Sequence, residues 1–280
     1  MQKAKFKKAV IVGPGLIGGS IGLELRSKKM ASRVIGVARH MATLRTAQRK
    51  GSIDTGSTDL MRAVSDADLV VLAVPVGAIK KTIIRIKDSL KPGCIVFDVG
   101  STKQEIVRTA ERYLPQQIFF VGAHPMAGSE KAGPEFAESG LFVDSLCFIT
   151  KTSRTDVQAF SRVDRLWKEM GAKTVIIEPA EHDEIVAQVS HLPHMVSAAL
   201  VDSVKDAVLP YASSGFRDTT RIAAGSPQLW SDIFLSNKKS LLRALGIFEK
   251  KISELKKSLN NEARLMQKLA GIKRKRDTLT

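Results

Sequence analysis

Over the first 177 residues the apolar positions fall in short, nearly unbroken runs: 9–12, 34–37, 69–74, 94–97 and 118–122, then 146–150 and 174–177. A strand with one wet face alternates apolar and polar residues, whereas an unbroken run belongs to a strand buried on both sides. Helical patterns separate several of the runs, the first from Leu16 to about Met30. Strands alternating with helices predict a parallel sheet covered on both faces. After Ile177 the strand pattern stops. Glu178-Pro179-Ala180 reads as a helix start, with proline where its missing N–H costs nothing. One long apolar-rich helix is predicted from Ala180 to about Val208, closed by Pro210. A Gly/Ser stretch around Ser213-Ser214-Gly215 follows, and helical patterns then continue nearly to the C-terminus.

The first apolar run, Ala9-Val10-Ile11-Val12, feeds into Gly13-Pro14-Gly15-Leu16-Ile17-Gly18. Strand, glycine turn and helix in that order form a dinucleotide-binding fingerprint. Gly13 allows the tight turn, Gly15 lets a pyrophosphate approach the backbone, and Gly18 lets helix and strand pack closely. Leu16 and Ile17 open the helix, whose N-terminus offers unpaired N–H groups to phosphates. The expected architecture is therefore α/β: a Rossmann-type doubly wound, mainly parallel sheet in a dinucleotide-binding domain over 1–177, followed by an all-helical substrate and dimerisation domain over 178–280. About 20 residues past the glycines, where an acid would bind the ribose of NAD, the chain has Arg39-His40. A guanidinium suits a 2′-phosphate, so NADP is the expected cofactor, with NAD possible if Arg39 only stacks on adenine.

Composition narrows the function classes. The chain has 280 residues, an ordinary apolar share and a net charge of +16. Such a charge invites nucleic acid. Its placement argues otherwise, because residues 237–280 hold 13 Lys/Arg against 4 Asp/Glu. They alternate with the stripe Leu241, Leu245, Phe248, Ile252, Leu255 and Leu259, so they read as a solvated helix face and a frayed basic tail, Lys273 to Arg276. No specific nucleic-acid partner is expected. No run reaches the roughly 18–20 apolar residues of a spanning helix, so no membrane partner is expected either. Lys3 to Lys8 before an apolar run resembles a secretory leader, but Pro14 and the glycine turn interrupt it. Cys94 and Cys147 lie in apolar stretches and read as buried thiols of a reducing compartment. The cytoplasm is the expected location.

Ligands of open parallel sheets bind beyond the carboxyl ends of the strands. Three segments fall there: Val74-Pro75-Val76, Asp98 to Lys103, and Gly122 to Glu130 with His124 on a Pro/Gly turn. Histidine is the side chain suited to proton transfer near neutral pH, and position alone leaves His124 between catalysis and a structural hydrogen bond. His191 and His194 share a predicted helix face, but no third ligand at familiar spacing makes them a metal site, and none is expected. Arg217 and Arg221 sit near a glycine-containing loop, either as a carboxylate clamp or as surface charges paired with Asp218.

Taken together, Gly13–Ser20, Asp98–Lys103, His124–Gly133, Ser190–His194, Thr219–Ala223 and Trp230–Phe234 resemble the prephenate/arogenate dehydrogenase family of tyrosine biosynthesis. The resemblance implies oxidative decarboxylation of a cyclohexadienol, with hydride passing to the nicotinamide of NAD(P). It implies that His124 takes the ring-hydroxyl proton and that Ser101 orients His124 and the nicotinamide. Arg221 would bind the ring carboxylate, and His194 would contact substrate from the helical domain. Ser129, Glu130 and Arg217 would complete the substrate pocket, while Val74 and Pro75 join Gly13, Gly15, Leu16, Ile17, Gly18 and Arg39 around the cofactor. A homodimer through the helical domain is implied, with the Leu241–Leu259 stripe fitting either a dimer contact or internal core. Prephenate and arogenate are not distinguished. The alternatives are another two-domain dehydrogenase, of the β-hydroxyacid or imine reductase type, and a non-enzymatic NADP-binding regulator using its basic tail.

Overall fold

A computed structural model describes residues 6–128 and 131–279. Eight strands form one sheet: β1 Phe6–Val12, β2 Ala31–Val37, β3 Thr55–Ser57, β4 Leu69–Leu72, β5 Ile95–Asp98, β6 Phe119–Pro125, β7 Leu146–Thr150 and β8 Lys173–Ile177. Their order is β3-β2-β1-β4-β5-β6-β7-β8, and every neighbouring pair is parallel except β6 with β7. The chain reverses direction of travel between β1 and β4, which opens a crevice at their carboxyl ends.

Helices α1 Leu16–Ser27, α2 Met41–Arg49, α3 Leu60–Val64, α4 Val76–Ile86, α5 Gln104–Tyr113 and α6 Val157–Glu169 connect the strands. Alternate residues of each strand feed opposite cores. Ala9, Ile11, Leu69 and Val71 pack into one apolar cluster, which also holds Ile21 of α1 and Trp167 of α6. Val10, Val12, Val70 and Leu72 pack into the other, with Ile79 and Ile83 of α4. Both faces are dry, which is why the strands are apolar without alternation. Each buried aliphatic side chain stabilises the fold by about 1.5–3 kcal/mol. Both thiols are buried, and burial pushes the Cys94 thiol up to about 12.

The rest of the chain is helical: α7 Pro179–Val186, α8 Leu192–Asp202, α9 Ser214–Thr220, α10 Pro227–Ser236, α11 Lys238–Ser258 and α12 Glu262–Asp277. A π-helical turn, Ala187–His191, joins α7 to α8, and a 3₁₀ turn, Arg221–Ala224, follows α9. Among the described residues no helix is long and apolar enough to cross a membrane.

Several expected boundaries move. The helix predicted to reach Met30 ends at Ser27, because Lys29 takes a positive φ of 54° that an α-helix cannot hold. The single helix predicted over 180–208 is broken by the π turn and stops at Asp202. There the Ser203 hydroxyl bonds the Leu200 carbonyl, and a 3₁₀ turn over 206–211 carries the chain through Pro210. The tail read as frayed is part of α12. Asn261 caps its start by accepting from the Arg264 N–H at 2.9 Å, and Lys273 pairs with Asp277 near its end. Of the apolar stripe on α11, Leu241 is buried but Ile252 and Leu259 are exposed.

Candidate active site

The glycine turn has the geometry its sequence demands. Gly13 has φ +92°, a region closed to most side chains. A Cβ on Gly18 would lie 2.8 Å from the Ala73 Cβ and would strike the Gly13 carbonyl, so α1 can rest on β1 and β4 only without it. At Gly15 a Cβ would meet nothing within 4 Å: its face is open to a ligand. The cleft beside this turn measures about 680 Å³ and is lined by Gly13, Arg39, His40, Val74, Pro75, Lys81 and Arg85, among others. A dinucleotide fits these features: an open glycine face, a helix N-terminus at Leu16 and Ile17, and cations at the far end. Asp232 of α10 also lines the cleft, so the helical part of the chain contributes to its wall.

His124 stands near the carboxyl end of β6 and is buried. Its Nδ1 lies 2.9 Å from Nε2 of His182, the ring at the middle of α7. The other nitrogen of His182, Nδ1, lies 2.8 Å from Oδ1 of Asp183. The Asp183 carboxylate accepts further from the backbone N–H groups of Lys103, at 2.7 Å, and Gln104, at 3.0 Å, where α5 begins. Asn237, between α10 and α11, donates to the Asp183 carbonyl at 2.6 Å and lies 3.2 Å from Nδ1 of His191. His194 on α8 stacks on Trp230 of α10, with ring centroids 3.5 Å apart. Four of the five histidines of the chain thus gather in one buried polar cluster.

Behind the cluster lies a buried ion pair. The Lys103 ammonium bonds Asp98 and donates to the Ala123 carbonyl at 2.7 Å, next to His124. Both side chains have no exposed surface. Burial raises the Asp98 carboxyl and lowers the Lys103 ammonium, while their attraction opposes both shifts. The pair fixes the end of β5 to the end of β6 and so sets the height of the histidine.

Burial also holds the histidines neutral. It lowers His124 well below its ordinary value, helped by His182 and the Lys103 charge, and lowers His182, His191 and His194 in the same direction. His191 falls to about 4. A folded value below the unfolded one means stability fully present above about pH 6.5 and lost as pH falls from there toward the folded values. His191 alone accounts for roughly 3 kcal/mol between pH 6.5 and 4 at 1.36 kcal/mol per unit. Thermal melts between pH 7.5 and 4.5 should show Tm dropping progressively below 6.5. A flat Tm down to pH 5 would mean that these rings take up protons in the fold as readily as in the unfolded chain.

The other residues singled out from sequence are placed as follows. Ser101 follows β5, partly buried, and makes no hydrogen bond to His124. Arg217 on α9 and Arg221 at the start of its 3₁₀ turn are both exposed, and neither pairs with Asp218 among the described residues. The turn packs against α8, where a Cβ on Gly225 would lie 3.1 Å from Cε1 of His194. Ser129 and Glu130 lie outside the described residues. Sequence reasoning passed over His182, Asp183 and Asn237. The first two sit between Glu181 and Glu184 and look like a solvated first turn. Their only signal is that α7 must lie on the carboxyl end of the sheet, which a sequence does not display.

Two family models match the chain: the nucleotide-binding domain of prephenate dehydrogenase over residues 21–176, and the dimerization domain of prephenate dehydrogenase over 178–270. A curated prephenate dehydrogenase from Bacillus subtilis is 35% identical over 263 residues, covering 90% of this chain and 70% of the relative. A crystal structure of prephenate dehydrogenase from A. aeolicus, in complex with hydroxyphenyl propionate and NAD+, superposes with a TM-score of 0.92 at 33% identity and covers 98% of both chains. Synechocystis arogenate dehydrogenase gives 0.84 at 32% identity, over 98% of this chain and all of that one.

Proposed function

Because the chain belongs to the prephenate dehydrogenase family, we propose that it oxidatively decarboxylates prephenate to 4-hydroxyphenylpyruvate, or arogenate to tyrosine. The observation that carries this reading is His124: a buried, neutral imidazole near the carboxyl end of β6, on the same edge of the sheet as the glycine turn, with one nitrogen held by His182 and the other left for substrate. When bound, the dinucleotide supplies the hydride acceptor. His124 accepts the hydrogen bond of the ring hydroxyl and takes its proton as the carbon beneath is oxidised, a task for a base that is unprotonated at neutral pH. Departure of the ring carboxylate as carbon dioxide restores aromaticity and supplies most of the driving force. His194, pinned on Trp230, meets the substrate from the helical side, and Ser101, just past β5, is assigned to the nicotinamide rather than to His124, which it does not bond. Initial rates at the reduced-nicotinamide absorbance band, with prephenate and arogenate each against NAD and NADP, test the proposal. Silence in all four combinations from folded, cofactor-binding protein would overturn it.

Arg221 is assigned to the ring carboxylate, with Arg217 near the side-chain end. Arg221→Ala should raise KM for the cyclohexadienol by about 10–100-fold with kcat less affected, as expected for a lost charge-assisted hydrogen bond. An unaltered KM would return Arg221 to the surface.

NADP is the preferred cofactor in this reading. Arg39, His40, Lys81 and Arg85 line one cleft, and a 2′-phosphate brings the negative charge that such a set attracts. NAD is the second reading, favoured by the NAD+ held in the A. aeolicus complex. Arg39→Asp should lower kcat/KM for NADP relative to NAD by roughly 10–100-fold. No change in the ratio would mean that Arg39 does not face the 2′ position.

The working assembly is a homodimer through the helical part. Supporting it are the description of the matched C-terminal family model and the exposed apolar side chains Leu235, Ile252, Leu259, Met266 and Leu269.

A further inference from the structure

We propose that His182 and Asp183 are positioning residues that fix the tautomer of His124, leaving its Nε2 as the proton acceptor. The inference rests on His124 being the base. Asp183 accepts two backbone N–H bonds at the start of α5, through Oδ1 from Lys103 and Oδ2 from Gln104. With both oxygens already taking N–H bonds, that carboxylate meets His182 as an acceptor. The His182 Nδ1 that lies 2.8 Å from it must therefore carry the hydrogen and donate. A neutral imidazole has one N–H, so Nε2 of His182 holds a lone pair. Facing it at 2.9 Å, Nδ1 of His124 must donate in turn. That leaves the lone pair of His124 on Nε2, away from His182.

The burial of both rings makes the order strict, because the alternative tautomers would set two donors or two lone pairs against each other with no water to absorb the error. When Nε2 takes the substrate hydroxyl proton, Nδ1–H stays in place and donates to a partner that is itself backed by a carboxylate. No proton needs to move along the chain. Nothing in this pairing comes from the strand that carries His124: the orienting ring and carboxylate belong to α7, and their support to α5 and Asn237.

Two measurements on the full chain test this. Imidazole ¹⁵N spectra of the unmodified enzyme should report His124 as the Nδ1–H form, and those of His182→Phe should lose that preference. In parallel, His182→Phe should lower kcat by about 10–100-fold in the parent enzyme and cause little further loss in His124→Asn, since its effect passes through His124. His182→Gln, whose amide oxygen can accept near the place of Nε2, should recover part of the rate. An Nε2–H form of His124 in the unmodified enzyme overturns the proposal, whether or not the variants fold. An equal loss on both backgrounds, or an unchanged rate in His182→Phe, overturns it as well. Undiminished turnover in His124→Asn is a separate result, and it removes the underlying assignment of the base.

Discussion

Replacing His124 by asparagine is expected to lower kcat by ~10²–10⁴-fold while leaving dinucleotide affinity and melting temperature near those of the parent. Asparagine matches the near half of the imidazole, so its amide can still donate to Nε2 of His182 across the gap that His124 Nδ1 now spans at 2.9 Å. The buried cluster thus keeps its hydrogen bonds, and the fold should tolerate the change. What disappears is the far nitrogen, the only part of the side chain able to take a proton. Steady-state turnover, read beside a dinucleotide titration by protein fluorescence, separates the two roles. Full turnover in this variant would take His124 out of the chemistry.

The second large effect concerns stability. Lys103→Met should destabilise the protein by about 3–5 kcal/mol, the range for breaking a buried ion pair from one side. Asp98 has no exposed surface, so the lost ammonium cannot be replaced by solvent. For a chain of this size that corresponds to a fall in Tm on the order of 10 °C, at roughly 2–4 °C per kcal/mol. Removing both charges in Asp98→Asn/Lys103→Met should restore most of the loss. Swapping a buried pair for neutral groups is nearly balanced, and the Ala123 carbonyl, left without its donor, costs about 1 kcal/mol more. Differential scanning calorimetry of the three proteins decides it. A single variant that melts with the parent would mean that water already reaches Asp98.

The two predictions draw on features of unequal visibility in the sequence. Strands such as Leu69–Leu72 were legible because burial on both faces leaves an unbroken apolar run. The short edge strand Thr55-Gly56-Ser57 was not, since three small residues at a sheet margin carry no periodicity. The glycine turn could be read one residue at a time, because each glycine there answers a local steric demand. His124 was placed by the end of its strand. Its supports were hidden for the opposite reason. Asp98 and Lys103 are five residues apart in a polar segment, and only the closure of β5 onto β6 buries them together. His182-Asp183 reads as surface for as long as α7 is considered alone. The long helix expected over 180–208 followed an apolar pattern that continues through Val204 and Val208, while the chain is interrupted by the π turn at Ala187–His191 and ends its helix where the Ser203 hydroxyl bonds the Leu200 carbonyl.

The bonds between α7 and the sheet also bear on how sequences of this kind can be recombined. The link from β8 to α7 at Glu178 looks like a convenient crossover point, with strands before it and helices after. Yet the side chains of His182 and Asp183 are lodged against β6 and the start of α5, four and five residues past the join. A hybrid spliced there keeps its histidine aligned only if the incoming helix brings the same two residues in the same register, together with an asparagine more than fifty positions downstream. Crossovers within the parallel half, or beyond α11, leave that inheritance intact.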